Sequence, residues 1–173
     1  MHQQTIRFKT LMKRLFITLF LAGFLCTVAH SQEIYTQIRS KAKAALRDPN
    51  TPPMQRQFNQ FKADALDYMV MKMKEKMPDS SAVVLDRQAL ALNEFLTLYV
   101  QTITRHKQDP PALLSKYMKL FMDISVGNPL FNDNESDITH CYYVDENNLT
   151  RFSLDTNWQI AVLAVRIELK KIK

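Results

Sequence analysis

Four methionines in one segment have the spacing of a soft-metal site. Met69, Met73 and Met77 recur every four residues, so a helix would align their thioethers along one face. Thioether sulfur binds Cu(I), which makes copper the metal to consider. Met71 falls on another face, and no histidine or cysteine is close enough in the sequence to complete the site. We therefore interpret the stripe as a core face in which methionine fills irregular gaps, and we expect no metal cofactor.

The adjacent residues His140 and Cys141 are the two residue types of a thiol enzyme. A thiolate nucleophile needs a base that faces the sulfur. Neighbouring residues on a strand point to opposite faces, so His140 is poorly placed to serve Cys141. Outside the N-terminal leader, the other histidine is His106, far away in the sequence. The pattern favours a buried structural cysteine over a catalytic pair.

Alternating acids follow the fourth predicted helix in the manner of a calcium loop. Asp133, Glu135 and Asp137 have this spacing, but an EF-hand also requires a glycine at its sixth position and an acid at its twelfth. Ile138 and Val144 occupy those positions here, so the EF-hand is excluded. A weak, irregular Ca²⁺ site is the alternative to an ordinary solvated loop, which the composition favours.

Three acids on predicted helices could supply a carboxylate pair for acid–base catalysis. They are Asp64, Asp67 and Glu94, of which the first two share one helix edge. Salt bridges to neighbours such as Lys62 or Arg87 are the simpler role. No motif of a serine hydrolase, a zinc protease or a paired-cysteine centre accompanies them, so we assign no catalytic residue.

Aromatic and cationic residues concentrate near the C-terminal end of the chain. Tyr142, Tyr143, Arg151, Phe152 and Trp158 have the composition of a protein-binding hot spot, and we take them as the candidate binding residues. The competing interpretation, which the composition favours, is that these aromatics cover the end of a helical bundle.

Four helices that would position these residues are predicted from hydrophobic periodicity. Thr51 and Asp109 are expected N-caps, each followed by proline, and Gly127 is expected to form a left-handed C-terminal cap. The third helix is the most apolar and should lie at the centre. The predicted helices run from about 33 to 47, from near 51 to the turn at 78–80, from 81 to 107, and from 109 to the cap at 127.

A change of pattern after the fourth helix predicts a β-hairpin. Residues 139–144 and 149–154 read as strands on either side of a polar turn. The last segment fits two periods, because Val165, Ile167 and Leu169 alternate as in a strand while Thr156 and Gln159 have capping-box spacing. We choose a helix, since a strand would leave the alanine-rich 160–164 stretch unexplained. The predicted fold is mainly α: a bundle of about four helices, a C-terminal β-hairpin and a final helix.

The N-terminus has the order of a secretory signal. A basic segment, Met12 to Arg14, precedes an apolar run that ends near Cys26, and small residues then predict cleavage before Gln32. The apolar run is shorter than the roughly 20 residues that span a bilayer, so we expect no membrane anchor. A lipoprotein is disfavoured because Phe24 and Leu25 precede the cysteine. Residues 1–31 are thus a predicted signal peptide, with 1–11 either a longer leader or a start assigned ahead of Met12.

Removal of the leader changes the composition of the remaining domain, residues 32–173. The leader holds four of the 23 basic residues and none of the 17 acidic ones, so the net charge falls from +6 to +2. A nucleic-acid partner is therefore not expected. Cys141 becomes the only cysteine, which excludes an internal disulfide and leaves one between chains as an open question. Gly127 becomes the only glycine, which excludes glycine-rich phosphate loops.

Four runs in the chain carry a resemblance to a known group of proteins. Through these runs the chain resembles small secreted proteins from Bacteroidetes that have no assigned function, and the resemblance covers most of the chain after the leader. It implies export in a Gram-negative cell and supplies no activity, cofactor or site residue. The runs are QFKADALDYM at 60–69, MPDSS at 77–81, NPLFND at 128–133 and LTRFSLDTNW at 149–158.

The function expected from the sequence is that of an exported, non-enzymatic binding protein. Its partner would be an unidentified protein or envelope component, met in the periplasm, at the cell surface or outside the cell. The alternative is a hydrolase-like or metal-dependent enzyme that uses the helical carboxylates or the 132–145 segment.

Overall fold

A computed structural model of the chain describes residues 34–133, 139–145 and 148–172, with the side chains of 34–133 and 150–172. These residues belong to one compact unit, Glu33–Lys173. The predicted fold is confirmed: the described chain is mainly helical, with a hairpin and a final helix near its C-terminal end. Its elements are α1 (Ile34–Arg47), α2 (Pro53–Lys76), α3 (Ala82–Arg105), α4 (Pro111–Gly127), β1 (Thr139–Asp145), β2 (Asn148–Ser153) and α5 (Trp158–Leu169).

Helix α3 lies at the centre of the fold, as its apolar sequence predicts. It packs against all four other helices of the described chain. Its inward face carries Leu85, Ala89, Leu92, Phe95 and Tyr99, all buried. This spacing places the five side chains on one broad face of the helix, which is the face that the rest of the fold covers.

Edge-to-face aromatic contacts join α3 to the C-terminal elements. The Phe95 ring centroid lies 5.4 Å from that of Phe121 on α4, 5.5 Å from Phe152 on β2 and 5.2 Å from Trp158 on α5. Phe61 on α2 also contacts the Phe152 and Trp158 rings, at 5.6 Å and 5.8 Å between centroids. Such pairs add attraction beyond the burial of their area, so the hairpin and α5 complete the core.

The hairpin is an antiparallel pair in which His140 opposes Phe152 and Cys141 opposes Arg151. The pairing is irregular between Tyr143 and Asp145. Strand β1 contacts α2 and strand β2 contacts α4. The inner strand β2 therefore reaches the core, where the Tyr99 hydroxyl and the Thr150 hydroxyl lie 2.6 Å apart, both buried.

Two expected N-caps are wrong, because a proline occupies the cap position in each case. Pro52 caps α2 and Pro110 caps α4, without a side-chain hydrogen bond. Thr51 instead donates its hydroxyl to a carbonyl near the end of α1, 2.6 Å away. Asp109 instead pairs with His106 at the end of α3. Both polar side chains close the preceding helix and do not start the next one.

Two further cap assignments are also wrong. Gly127 is the last residue of α4 and has no positive φ, so the helix does not end in a left-handed glycine cap. Asn128 follows as the cap, and its side-chain amide donates to the Ile124 carbonyl. At the start of α5 the cap is Asn157, whose side chain accepts from the backbone of the first turn. Thr156 is instead buried, and its hydroxyl donates within the preceding turn.

A buried glutamine fixes the start of α5 against α3. Gln88 Oε1 accepts a 2.8 Å hydrogen bond from the Trp158 backbone N–H. Its Nε2 group donates to Asn157 Oδ1 at 3.1 Å. Because one amide satisfies two groups at the first turn of α5, the position of that turn on α3 is set by directional bonds as well as by packing.

Asp155, in the turn between β2 and α5, anchors the loop that follows α4. Its carboxylate is 1% exposed and accepts the backbone N–H groups of Leu130, Phe131 and Asp133 at 2.8–2.9 Å. A buried carboxylate is tolerated only when such donors replace its hydration. The bonds therefore hold the two segments together through the backbone.

We expect Asp155→Ala to lower the free energy of unfolding by about 3 kcal/mol, because it leaves backbone donors without an acceptor. Urea denaturation followed by circular dichroism measures the change. Asp123→Ala is the matched control, since Asp123 lies in an exposed i,i+4 pair with Lys119 and should change stability by less than about 0.5 kcal/mol. Equal effects of the two substitutions would contradict the anchoring role of Asp155.

Candidate binding surface

The structure separates the residues that the sequence offered as a binding hot spot. Arg151 is exposed on β2, whereas Phe152 and Trp158 have no exposed surface. Tyr142 and Tyr143 lie on β1, but their side chains are outside the described residues. The five residues therefore do not share one described surface.

The burial of Phe152 and Trp158 corrects their assignment as contact residues for a partner. Both rings pack against Phe61 and Phe95, inside the helical layer. For these two residues, the competing interpretation is the correct one: aromatics at the hairpin cover the bundle. Their large apolar area serves the core, where it is worth most.

Asp67, one of the three acids considered for acid–base catalysis, lies between two cations of α1. Arg39 Nε donates to one carboxylate oxygen, and Lys43 Nζ donates to the other at 3.0 Å. Burial raises the pKa of Asp67, but the hydrogen bonds and charges of Arg39 and Lys43 outweigh it and leave the pKa below its usual value. This carboxylate ties α1 to α2.

The other two acids also have structural partners, although not the predicted ones. Asp64 accepts from Gln60 one turn earlier on α2, and Glu94 on α3 pairs with Arg166 on α5. Lys62, a predicted salt-bridge partner, instead donates to Asn93 at 2.7 Å, and its burial lowers its pKa. No group of three His, Cys, Asp or Glu side chains within the described residues is placed to hold a metal ion.

The methionine stripe divides between core and surface. Met69 and Met73 are buried in the main core, which confirms the core interpretation for these two. Met77 follows the end of α2 and is 42% exposed, while Met71 on another face is 54% exposed. The thioethers of the stripe therefore do not share one environment.

Asp133, the first acid of the calcium-like segment, is surrounded by donors from α2. Its carboxylate accepts from Lys72 Nζ and Lys76 Nζ at 2.7 Å and from the Tyr68 hydroxyl at 2.8 Å. The bond from Lys72, followed by those from Lys76 and Tyr68, holds the pKa of Asp133 well below its usual range. The same pairing raises the pKa of Lys72. Glu135 and Asp137 lie outside the described residues.

The structure does not describe the side chains of His140 and Cys141, so the prediction of a buried structural cysteine stays a prediction. The remaining histidine, His106, is engaged at the end of α3. Its Nδ1 lies 2.6 Å from an Asp109 oxygen, and its ring stacks on Tyr117 at 4.2 Å between centroids. His106 therefore closes α3 against α4.

An exposed apolar row runs along the outer face of α5. Ile160, Leu163 and Ile167 are 49%, 60% and 56% exposed, and Leu90 on the neighbouring α3 is 49% exposed. A shallow groove between the two helices passes Leu90 and Leu163. We call these four residues, together with the charged pair Glu94–Arg166 that borders the same groove, the α3–α5 surface. Large apolar side chains grouped in this way are typical of protein-interaction surfaces.

The sequence contained a signal for this surface that its interpretation missed. Helix α5 buries Trp158, Ala161, Val162 and Val165, so it needs only one apolar face. The additional apolar residues outside that face made the segment fit a strand period as well as a helical one. An excess of apolar residues over what a single buried face requires indicates a second apolar face, on the outside of the helix.

None of the helices in the described part of the chain is both long and apolar enough to span a membrane. Comparison with known proteins yields no family: no family model matches the chain, and neither the curated proteins nor the solved structures give a significant match. The α3–α5 surface is therefore interpreted from its own chemistry.

Replacing Asp133 by Asn should flatten the acid dependence of stability. The pKa of Asp133 is lowered in the folded state, so its contribution is present above the unfolded pKa of about 3.9 and is lost as the pH falls towards the folded value. We expect the unfolding free energy of the unmodified chain to fall more steeply than that of Asp133→Asn below about pH 4.

Urea titrations at several acidic pH values test this prediction. Ile124→Val is the control, because it trims a buried side chain and changes stability without removing a titrating group. Parallel pH profiles for the unmodified chain and Asp133→Asn would show that the ion pairs of Asp133 with Lys72 and Lys76 do not stabilise the fold.

Proposed function

We propose that this chain is an exported, non-enzymatic protein that acts by binding another protein or an envelope component through the α3–α5 surface. The observation that carries the proposal is the exposed row Ile160, Leu163 and Ile167 beside Leu90. These side chains lie on regular helices, so they are presented in a fixed arrangement before any partner arrives. Binding to such a preordered surface loses little conformational entropy.

The positioning of α5 supports a rigid surface. Gln88 holds the first turn of the helix with two hydrogen bonds, and the Glu94–Arg166 pair joins the same two helices further along. The buried face of α5 meets the aromatic core between these points. The apolar row is thus supported from beneath along its length.

The placement of the helical acids supports a non-enzymatic role. Asp67 joins α1 to α2, Glu94 joins α3 to α5, and Asp64 bonds within α2. The three carboxylates lie in three separate local arrangements, whereas acid–base catalysis requires groups that converge on one substrate.

Export is supported by the charged and apolar order of residues 12–31 and by the resemblance to secreted Bacteroidetes proteins. Both features concern the sequence, and they agree on a destination beyond the inner membrane. A binding protein placed there would meet envelope components directly.

Expression of the full chain in a Gram-negative host should give an exported product that begins at Gln32. Leu21→Arg, which places a charge in the apolar run, should block processing and retain the full-length chain in the cell. Intact-mass spectrometry of fractionated cells distinguishes the two products. Leu21→Ile is the matched control and should be processed normally. An exported product that keeps residues 1–31 would contradict the predicted cleavage.

Capture from envelope extracts tests the binding surface. A chain with Leu163→Lys should recover its partner about tenfold less well or worse, because a charge at the centre of an apolar contact must be desolvated on binding. Met71→Lys places the same charge at a comparably exposed position on α2 and should bind normally. Quantitative mass spectrometry of captured proteins gives the ratio. Equal capture by both variants would rule out the α3–α5 surface.

A further inference from the structure

The apolar residues of the α3–α5 surface are spaced symmetrically along their helix. Leu163 lies near the middle, with Ile160 before it and Ile167 after it. In an antiparallel contact between two copies of α5, Ile160 of each copy would meet Ile167 of the other. Leu163 would lie close to its own counterpart. A two-fold axis therefore maps this row onto itself, as an isologous interface requires.

Helices α3 and α5 run in directions that let a single two-fold axis pair each of them with its own counterpart in a second copy. Gln88, early in α3, bonds the start of α5, and Glu94, further along α3, pairs with Arg166 further along α5. The helices thus run in the same direction on this face. A two-fold axis lying in the face and perpendicular to both helices would set α3 against α3 and α5 against α5, each pair antiparallel.

The same two-fold rotation places opposite charges of α3 against each other across the interface. Arg87 and Glu94 lie seven residues apart, with the exposed Leu90 between them. Within the described residues, Arg87 has no ion pair, although it borders the groove. The two-fold operation brings Arg87 of each copy towards Glu94 of the other, whose Oε1 already accepts from Arg166 of its own chain and whose second oxygen can accept from Arg87. Complementary charges at the ends of an apolar strip set the register of an interface.

We propose that the α3–α5 surface is the interface of a two-fold symmetric homodimer, in which the exposed apolar rows of two copies pack together and Arg87 of each copy pairs with Glu94 of the other. This inference rests on the proposed function, since it names a second copy of the chain as the partner of the same surface.

The mixture of charge signs favours a second copy over a lipid surface. A helix that lies on an anionic bilayer carries cations along the edges of its apolar face. Here the two acids near the row, Glu94 and Glu168, each pair with a cation of the same chain, Arg166 and Lys171, so both charge signs are present. A surface of mixed charge complements a second copy of itself, whereas an anionic membrane favours cations alone.

Sedimentation equilibrium of the purified exported chain measures the dimer directly. We expect a dimer that Leu163→Lys weakens by about tenfold or more, because the two introduced charges meet near the axis. Met71→Lys should dimerise like the unmodified chain. Circular dichroism and thermal unfolding establish that each variant is folded before its association is compared.

A charge-exchange experiment tests the two-fold pairing itself. Arg87→Glu alone places acids opposite each other, and Glu94→Arg alone places arginines opposite each other, so each variant should dimerise several-fold more weakly. A mixture of the two variants restores both opposite-charge pairs between the copies in one heterodimer, which should therefore form more tightly than either homodimer, although Glu94→Arg also removes the Glu94–Arg166 pair within its own chain. A random docking arrangement would give no such recovery on mixing.

Three results would overturn the homodimer. They are a monomer at concentrations up to about 100 µM, a dimer that Leu163→Lys leaves intact, and a monomer that binds phosphatidylglycerol vesicles through Leu163. The proposed function fails separately from this inference. A monomer whose Leu163 surface still captures an envelope protein would contradict the homodimer and leave the binding role standing.

Discussion

The buried carboxylate of Asp155 is the interaction on which the C-terminal half of the fold depends. A charge at 1% exposure must recover its hydration energy from nearby donors, and the loop at 130–133 provides them. Once this loop is held, Asp133 is presented to Lys72 and Lys76 on α2. The turn that carries Asp155 also leads directly into Asn157, the cap of α5. One side chain thereby connects the loop after α4, the last turns of α2 and the start of the last helix.

Much of the fold is readable from the sequence, because hydrophobic periodicity reports which faces are buried. The helices and the central place of α3 follow from it, while the hairpin follows from strand-type residues on either side of a polar turn. The errors lie at helix ends, where several polar residues compete for the same unpaired backbone groups. Thr51 has the residue type of an N-cap, yet it bonds the preceding helix, and Pro52 takes its place. Which neighbour a hydroxyl or carboxylate reaches depends on the angle between helices, and periodicity carries no information on that angle.

The candidate surface was harder to predict than the fold, because the composition of a segment does not show whether a given aromatic side chain is buried or exposed. Phe152 and Trp158 have the residue types of a hot spot, but they face inward. The α3–α5 surface is assembled from Leu90 and from α5, which are far apart in the sequence and become neighbours only through the Gln88 bonds and the core beneath them. The sequence feature that indicated this surface was the last segment, which fits both a strand period and a helical period. Such a segment is a helix with two apolar faces. Likewise, the triple hydrogen bonding of Asp155 leaves no pattern in the residues around it.

The position of α5 at the end of the fold determines when the core can be completed. Phe95 and Phe61, in the first half of the bundle, are covered by Phe152 and Trp158, which are made much later. Contacts of such large sequence separation form slowly and only after the last helix is available. During synthesis, Phe61 and Phe95 therefore emerge before the two rings that cover them in the folded chain. The aromatic core of this fold is therefore completed last, when the first turn of α5 brings Trp158 onto Phe61 and Phe95.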